Sequence, residues 1–466
     1  MKKRDAFLLT AATWYIVGNF AIKGLNFLSV SVFTRIMSVD SYGLYNTYLV
    51  YESLMTALMS LGLNNTVKPA KYHFLSDFDS YLKSVTVYTF MSSMIFGLIL
   101  VISYPFLGTT YFGFVVLVFV WICATGNRLS NIFIQKCIIE NRYKLYILIE
   151  FMFNIPQIVL SVILIKNFPG LDSYDNRLIG HTIPMIFLLM ICIIFLMKSG
   201  KFNINYKKYS VSMGLPMVVS SMSSTILTQS DRIIISIYCG STKTGLYSGI
   251  NYISSILYIF MLSIQNVWDQ WFYKKINNNA VEEIRRKMKW YVLSFTGAVC
   301  CLMATGPEIV KVFLAPAYME SIYALIPLVL SWMFVFLYTL VSSIELVNRK
   351  SIYIAVGTGI GAAVNIILNL IFVPVYGYIA AAYTTLFSYG VILVYHLLVE
   401  RKICRSGAYS LRLLIFSVVV SVGFGVLCNS ALNMPIVRYG AIVILVVISI
   451  IYIFHDTRAY SSIFRT

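Results

Sequence analysis

Charge is the scarcest commodity in this chain. Only 12% of its 466 residues are Asp, Glu, Lys or Arg, about half the ~25% found in soluble domains. A soluble core built from 59% hydrophobic residues would need a polar shell that this composition cannot supply. Long polar connections are missing as well. No gap between apolar runs exceeds about 20 residues, at the precision of such boundaries, and no GxxxxGK[ST] stretch occurs. A nucleotide-driven pump in this single chain and an extracytoplasmic catalytic domain are both excluded on that ground. The eight cysteines form no CxxC pair, and no His stands at ligand spacing from them. They read as small buried hydrophobes, not as disulfide or zinc ligands, so no metal and no cofactor is expected.

What remains is apolar sequence in lengths that cross a bilayer. Runs of about 20 residues recur from end to end, the pattern of a polytopic helical membrane protein. The expected spans are 7–37, 44–66, 84–106, 110–134, 145–165, 178–197, 211–238, 247–272, 290–314, 322–347, 352–374, 378–399, 411–428 and 435–454. The opening "MKKRDAFLLTAATW" has the basic and apolar parts of a signal peptide. Its apolar stretch runs on to Met37, too long for a cleaved signal, so it reads as the first span.

Lys and Arg outnumber Asp and Glu by 36 to 18, and they fall in alternate loops. Of the 36, roughly 28 lie on the side of the N-terminus and six (Arg35, Lys166, Arg177, Lys243, Lys311, Arg438) on the other, which places both termini in the cytoplasm. Lys23 and Arg232 are left inside spans. This is a topological charge pattern and not a nucleic-acid surface, so no nucleic-acid partner is expected. His181 and His396 also fall in spans, where they read as packed histidines and not as proton relays.

One short motif occurs twice. "SYGLYNTY" (Ser41–Tyr48) and "KTGLYSGINY" (Lys243–Tyr252) both set Gly-Leu-Tyr between two apolar runs. With the N-terminus inside, spans 1 and 7 cross outward and spans 2 and 8 return, so Gly43 and Gly245 occupy equivalent outer positions. Repeats of matching orientation are one plan of secondary transporters, with the substrate path between halves. The expected architecture is therefore all-α, with about 14 transmembrane helices. Residues 1–200 and 201–400 form two pseudo-symmetric six-helix lobes, and 401–466 a C-terminal helix pair.

Three longer stretches carry a family resemblance. "FLSVSVFTRIMSVDSYGLYN" (Phe27–Asn46) resembles the first-helix region of polysaccharide exporters, with Thr-Arg-x-x-Ser before the Tyr-Gly-x-Tyr turn. "MGLPMVVSSMSSTILTQSDRIIISIYCGSTKTGLYSGINYI" (Met213–Ile253) is similar to their seventh and eighth helices. "VNIILNLIFVPVYGYIAAAYTTLFSYG" (Val364–Gly390) is similar to their eleventh and twelfth. The chain thus resembles flippases of the polysaccharide-exporter branch of the multidrug/oligosaccharidyl-lipid/polysaccharide exporter superfamily, nearest to the O-antigen repeat-unit translocases. The resemblance implies two six-helix lobes around a central cavity in the bacterial inner membrane. It implies a substrate too: an undecaprenyl-pyrophosphate-linked oligosaccharide moved from the cytoplasmic to the periplasmic leaflet. A polysaccharide polymerase and a chain-length regulator are partners to expect, besides membrane lipids. The alternative is a drug/cation antiporter of the sister branch; a membrane polymerase or ligase would need larger outer loops.

Such a substrate asks for rare buried cations and small polar groups. Its tail can stay in lipid, but its pyrophosphate must cross a layer where charge costs several kcal/mol. Lys23 is the first candidate. It lies about 12 residues, roughly 18 Å, beyond Ala11, too far from a helix end to snorkel; the structural reading is an ion pair with an acid such as Glu52. Arg232 and Asp231 come next, above a flank of Ser224 and Thr228 at helical spacing, which close helix packing would explain as well. Arg35 and Arg128, near span ends, complete the cavity set, whereas lipid-II-type flippases cluster several arginines. Glu52 and Glu150 are the candidate coupling carboxylates, or partners for buried bases. Glu308 and Lys311, at i and i+3, read as a surface pair. Asn154, Pro156 and Gln157, Pro216, and Asn365 and Asn369 read as kinks or polar packing inside spans.

Overall fold

In the computed structural model, residues 2–107, 113–198, 200–278, 280–404 and 407–447 are described. Helices account for the fold, and no strand occurs among the described residues. In chain order they are α1 (Lys2–Ile36), α2 (Val39–Met59), α3 (Val67–His73), α4 (Phe78–Leu107) and α5 (Phe114–Ile139). Next come α6 (Tyr143–Asn167), α7 (Ser173–Lys198), α8 (Tyr206–Cys239), α9 (Ser241–Ser254) and α10 (Ile256–Asn277). The last are α11 (Val281–Phe313), α12 (Leu325–Val347), α13 (Ser351–Tyr376), α14 (Ile379–Val399) and α15 (Leu411–Ser430).

Eleven helices among the described residues are long and apolar enough to cross a membrane. The remaining three expected spans fall on α1, on α2 and on a shorter apolar helix, Pro435–Val447. The chain is a multi-pass membrane protein. The end of the last expected span, 448–454, and the basic residues Arg405, Arg458 and Arg465 lie outside the described residues.

The chain forms two compact units. One holds 1–248 with 358–374; the other holds 249–357 with 375–466. In the first unit α7 packs against α5 and α6, and α2 against α5 and α8. Apolar residues of these helices and of α4, Leu82, Ile132, Phe133, Met185 and Leu188 among them, bury together. Helix α2 begins with a cap: the Ser41 backbone N–H donates to Ser38 Oγ at 3.0 Å, and Asp40 stands in its positive first turn. Beside it, the Ser41 hydroxyl donates to Asp172 at 2.7 Å, in the turn between α6 and α7. That bond holds the Asp172 carboxyl below its usual range.

The repeated Gly-Leu-Tyr motif has a local physical reason. A Cβ on Gly43 would stand 1.8 Å from the Ser241 carbonyl oxygen, and one on Gly245 2.2 Å from that of Val39. The N-terminal turns of α2 and α9 therefore touch backbone to backbone, and each glycine supplies the missing atom the contact needs. Gly62, with φ of 68°, meets the Gly214 backbone in the same way at the other end of α2.

In the second unit α12 is the enclosed helix, packed by α11, α14 and α15. Phe295 stacks on Phe336 at 4.1 Å and Trp268 on Tyr291 at 4.4 Å. Arg438, expected in an outer loop, is instead buried. It makes a bidentate pair with Glu308 at 2.9 and 2.5 Å and donates to the Ala304 carbonyl. The expected Glu308–Lys311 pair gives way to this one, because a planar guanidinium satisfies both carboxylate oxygens at once; Lys311 is exposed.

Candidate functional site

The first unit carries a partly open polar cavity of about 330 Å³ among its apolar helices. Lys23 and Asn26 reach it from α1; Asn127, Ser130 and Asn131 from α5; Glu150 and Asn154 from α6. On α5 those three polar residues fall at i, i+3 and i+4, so one helix turn sets them on one face. On α1, Lys23 and Asn26 share a face by the same rule. Lys23 and Glu150 attract each other across the cavity, and Asn154 donates to Glu150 Oε2 at 3.3 Å and to its backbone carbonyl at 2.8 Å. The lining thus carries one charge of each sign among amides and a hydroxyl. An anion entering it meets a lysine that Glu150 also holds.

Asn127 faces two ways. It lines the cavity, and its Nδ2 donates to Glu52 Oε1 at 2.5 Å. Glu52, on α2, is buried, with Oε2 3.3 Å from Nε2 of His181 on α7. The Nδ1 atom of His181 lies 2.8 Å from Gln157 Oε1 and 3.0 Å from the Tyr45 hydroxyl. Arg177, four residues before His181 and buried, donates to the Gln157 carbonyl at 3.1 Å and to Ser161 at 2.7 Å. It also packs over the rings of Phe33 and Tyr45. A continuous polar path therefore runs from the Lys23 cavity through Asn127, Glu52 and His181 to Gln157 and Arg177. Glu52, the acid offered above as a partner for Lys23, is engaged by Asn127 and His181, and Glu150 is the acid that faces the lysine.

The other sequence candidates lie apart from this cavity's lining. Arg128 is fully buried and turns from α5 towards α4, donating to Ser93 at 2.9 Å and Ser92 at 2.8 Å. Among the described residues no carboxylate pairs with it. Arg35 is exposed in the last turn of α1. Asp231 on α8 is buried, accepting from Tyr247 at 2.6 Å and from Asn369 Nδ2 at 2.7 Å. Its neighbour Arg232 is also buried and donates to Gln229, one turn back on the same helix. Ser224 and Thr228 are exposed, and the Thr228 hydroxyl bonds back to the Ser224 carbonyl at 2.9 Å.

Residues 8–268, more than half the chain, match the family model described as polysaccharide biosynthesis protein. The chain belongs to that family. No curated protein sequence matches it. Among solved structures, this polysaccharide biosynthesis protein is similar to the lipid II flippase MurJ in an inward closed conformation. The TM-score is 0.67 at 17% identity, over 90% of this chain and 98% of that one. It is also similar to an inward-facing multidrug resistance MATE family transporter of the MOP superfamily. There the TM-score is 0.65 at 14% identity, over 84% and 98% of the two chains. The family member therefore has the fold that these transporters share, and neither neighbour is named as an enzyme.

Proposed function

We propose that this protein flips an undecaprenyl-pyrophosphate-linked oligosaccharide, an O-antigen or related repeat unit, from the cytoplasmic to the periplasmic leaflet of the bacterial inner membrane. The observation that carries the reading is a lysine inside a spanning helix that faces a polar cavity instead of lipid. Family membership in polysaccharide biosynthesis and the flippase-type fold support it.

The chemistry follows from the opposed needs of the two ends of the substrate. The polyprenyl tail stays in lipid, where it costs nothing. The pyrophosphate needs a counter-charge in a medium where an isolated ion is expensive, and Lys23 supplies it. Sugar hydroxyls both donate and accept hydrogen bonds, and the side-chain amides of Asn26, Asn127, Asn131 and Asn154 do the same. The cavity's size is at the lower end of ligand sites, about 300–1,000 Å³, so it holds the phosphates with the sugar next to them and not a whole chain.

Binding the anion has a second consequence. When the pyrophosphate takes Lys23, Glu150 loses its counter-ion and is left a carboxylate in a low-dielectric pocket. Taking up one proton relieves that cost. Glu150 is in this way the coupling group: it takes up a proton as the headgroup binds Lys23 and gives it up when the headgroup leaves and Lys23 returns to it. Lys23 paired with Glu150 holds the empty cavity neutral, so it discriminates against the amphipathic cations that a drug antiporter would need to attract.

Leaflet-specific labelling of the repeat unit in cells lacking the protein tests the function. The unit should accumulate on the cytoplasmic side. Its appearance outside at the normal rate, in a strain with no second flippase, would refute the proposal.

A further inference from the structure

Three side chains from three helices meet next to the cavity, and transport uses none of them directly. Glu52 on α2, Cys123 on α5 and His181 on α7 are all buried. One ligand atom of each (a carboxylate oxygen, the thiol sulfur and a ring nitrogen) lies within 4.8 Å of the other two. The separations in sequence, 71 and 58 positions, hide the set from any local motif.

Hydrogen-bond direction shows what the site lacks. His181 Nδ1 lies 2.8 Å from Gln157 Oε1 and 3.0 Å from the Tyr45 hydroxyl; with the amide oxygen and the hydroxyl oxygen both accepting, Nδ1 carries the proton. The neutral ring then turns the Nε2 lone pair towards Glu52 Oε2 at 3.3 Å, and neither atom has a hydrogen-bond partner. Two acceptors face each other out of water and call for a positive centre between them. The rest of the setting is what surrounds a bound metal: the distal ring N–H is held by an amide, and the second carboxylate oxygen by Asn127. The Cys123 thiol is steadied by Thr182, 3.7 Å away.

We propose that Glu52, Cys123 and His181 form a binding site for a soft divalent transition-metal ion such as Zn²⁺. One carboxylate, one thiolate and one neutral imidazole cancel the two positive charges, so the loaded site is neutral, which its burial demands. Binding releases the thiol proton. Three ligands leave a fourth position for water or a hydroxyl, as in tetrahedral zinc sites. Calcium and magnesium, which take six or more oxygens, find one carboxylate here. Mixed N, O and S donors select zinc or its neighbours in the series. Asn127 lines the cavity and touches Glu52, which gives the ion its way in.

Metal binding is read on the purified chain and stands or falls apart from the flippase reading. The full-length protein in nanodiscs, stripped with chelator, is titrated with Zn²⁺, and with Cd²⁺ for its thiolate charge-transfer absorbance. The expected result is one tight ion per chain, a charge-transfer band and a raised melting temperature. Cys123→Ser should abolish the band, and both it and His181→Gln should weaken binding by more than about tenfold. Cys301→Ser, which removes an exposed thiol, should change neither. Absence of the band, its survival in Cys123→Ser, or its loss in Cys301→Ser would overturn the site; so would an imidazole–carboxylate pair that takes up protons alone.

Discussion

Among the described residues each compact unit buries one imidazole against one carboxylate, and the two pairs are built for different ends. In the first unit Glu52 and His181 stand 3.3 Å apart, and the atoms around them are polar: Asn127, Gln157, Tyr45. Through Asn127 the pair abuts a cavity. In the second unit His396 Nδ1 lies 2.6 Å from Glu345 Oε1, and both side chains are fully buried. Tyr338 stacks on that imidazole, Tyr395 meets its edge, and a Cβ on Gly357 would lie 2.8 Å from its Nε2. The second pair welds α12 to α14 and leaves no room for a guest. The first is looser and connected. A buried imidazole–carboxylate contact is thus not a function by itself; what surrounds it decides whether anything can come and go.

The sharpest way to break this comparison is to remove one partner from the sealed pair. His396→Ala leaves Glu345 without a counter-group where water cannot reach. It should cost about 3–5 kcal/mol, seen as a large fall in melting temperature, and the apolar double variant Glu345→Leu/His396→Leu should recover most of the loss. The same cut in the connected pair should be milder. In His181→Ala, Glu52 keeps Asn127 and a neighbouring cavity, so a loss of about 1–3 kcal/mol is expected. Equal losses in the two variants would erase the distinction. Arg128 offers a third buried charge, one without an acid. The serines it holds already donate to carbonyls of α2 and α4, so Arg128→Met should change stability by no more than about 1 kcal/mol. Its transport rate would show whether this arginine, off the cavity's lining, meets the substrate at all. The smallest effect is expected at Gly24, beside Lys23, where an added Cβ meets nothing within 4 Å. Gly24→Ala should stabilise α1 by about 0.5–1 kcal/mol and leave transport intact.

The fold class could be read from the sequence because apolar length is a local property, and so could the place of Lys23 well inside a long helix. The two Gly-Leu-Tyr motifs were visible too, although their mutual backbone contact was not. Partners were the hidden part. Periodicity assigns a residue to a face of its own helix, but it cannot say which helix lies opposite. Glu52 therefore drew Lys23 as its partner, where folding supplied His181 from 129 positions away. Arg177 and Arg438 were placed in loops by hydropathy, which reads charge as solvent; both are buried because a hydroxyl, ring faces or a carboxylate receives them. The cavity wall of α5 had a usable trace. Asn127, Ser130 and Asn131 interrupt an apolar span at i, i+3 and i+4, the spacing of a polar stripe. That stripe, more than the conspicuous Arg128 inside it, marked the lining.

The central claim is that Lys23 meets the pyrophosphate inside the cavity. Outer-leaflet appearance of the labelled repeat unit, compared in cells carrying wild type, Lys23→Met and Lys23→Arg at equal membrane levels, tests it most directly. A drop of about tenfold or more with methionine, the loss of one charge-assisted contact, and substantial retention with arginine is the predicted result. Wild-type flipping by Lys23→Met would contradict the account.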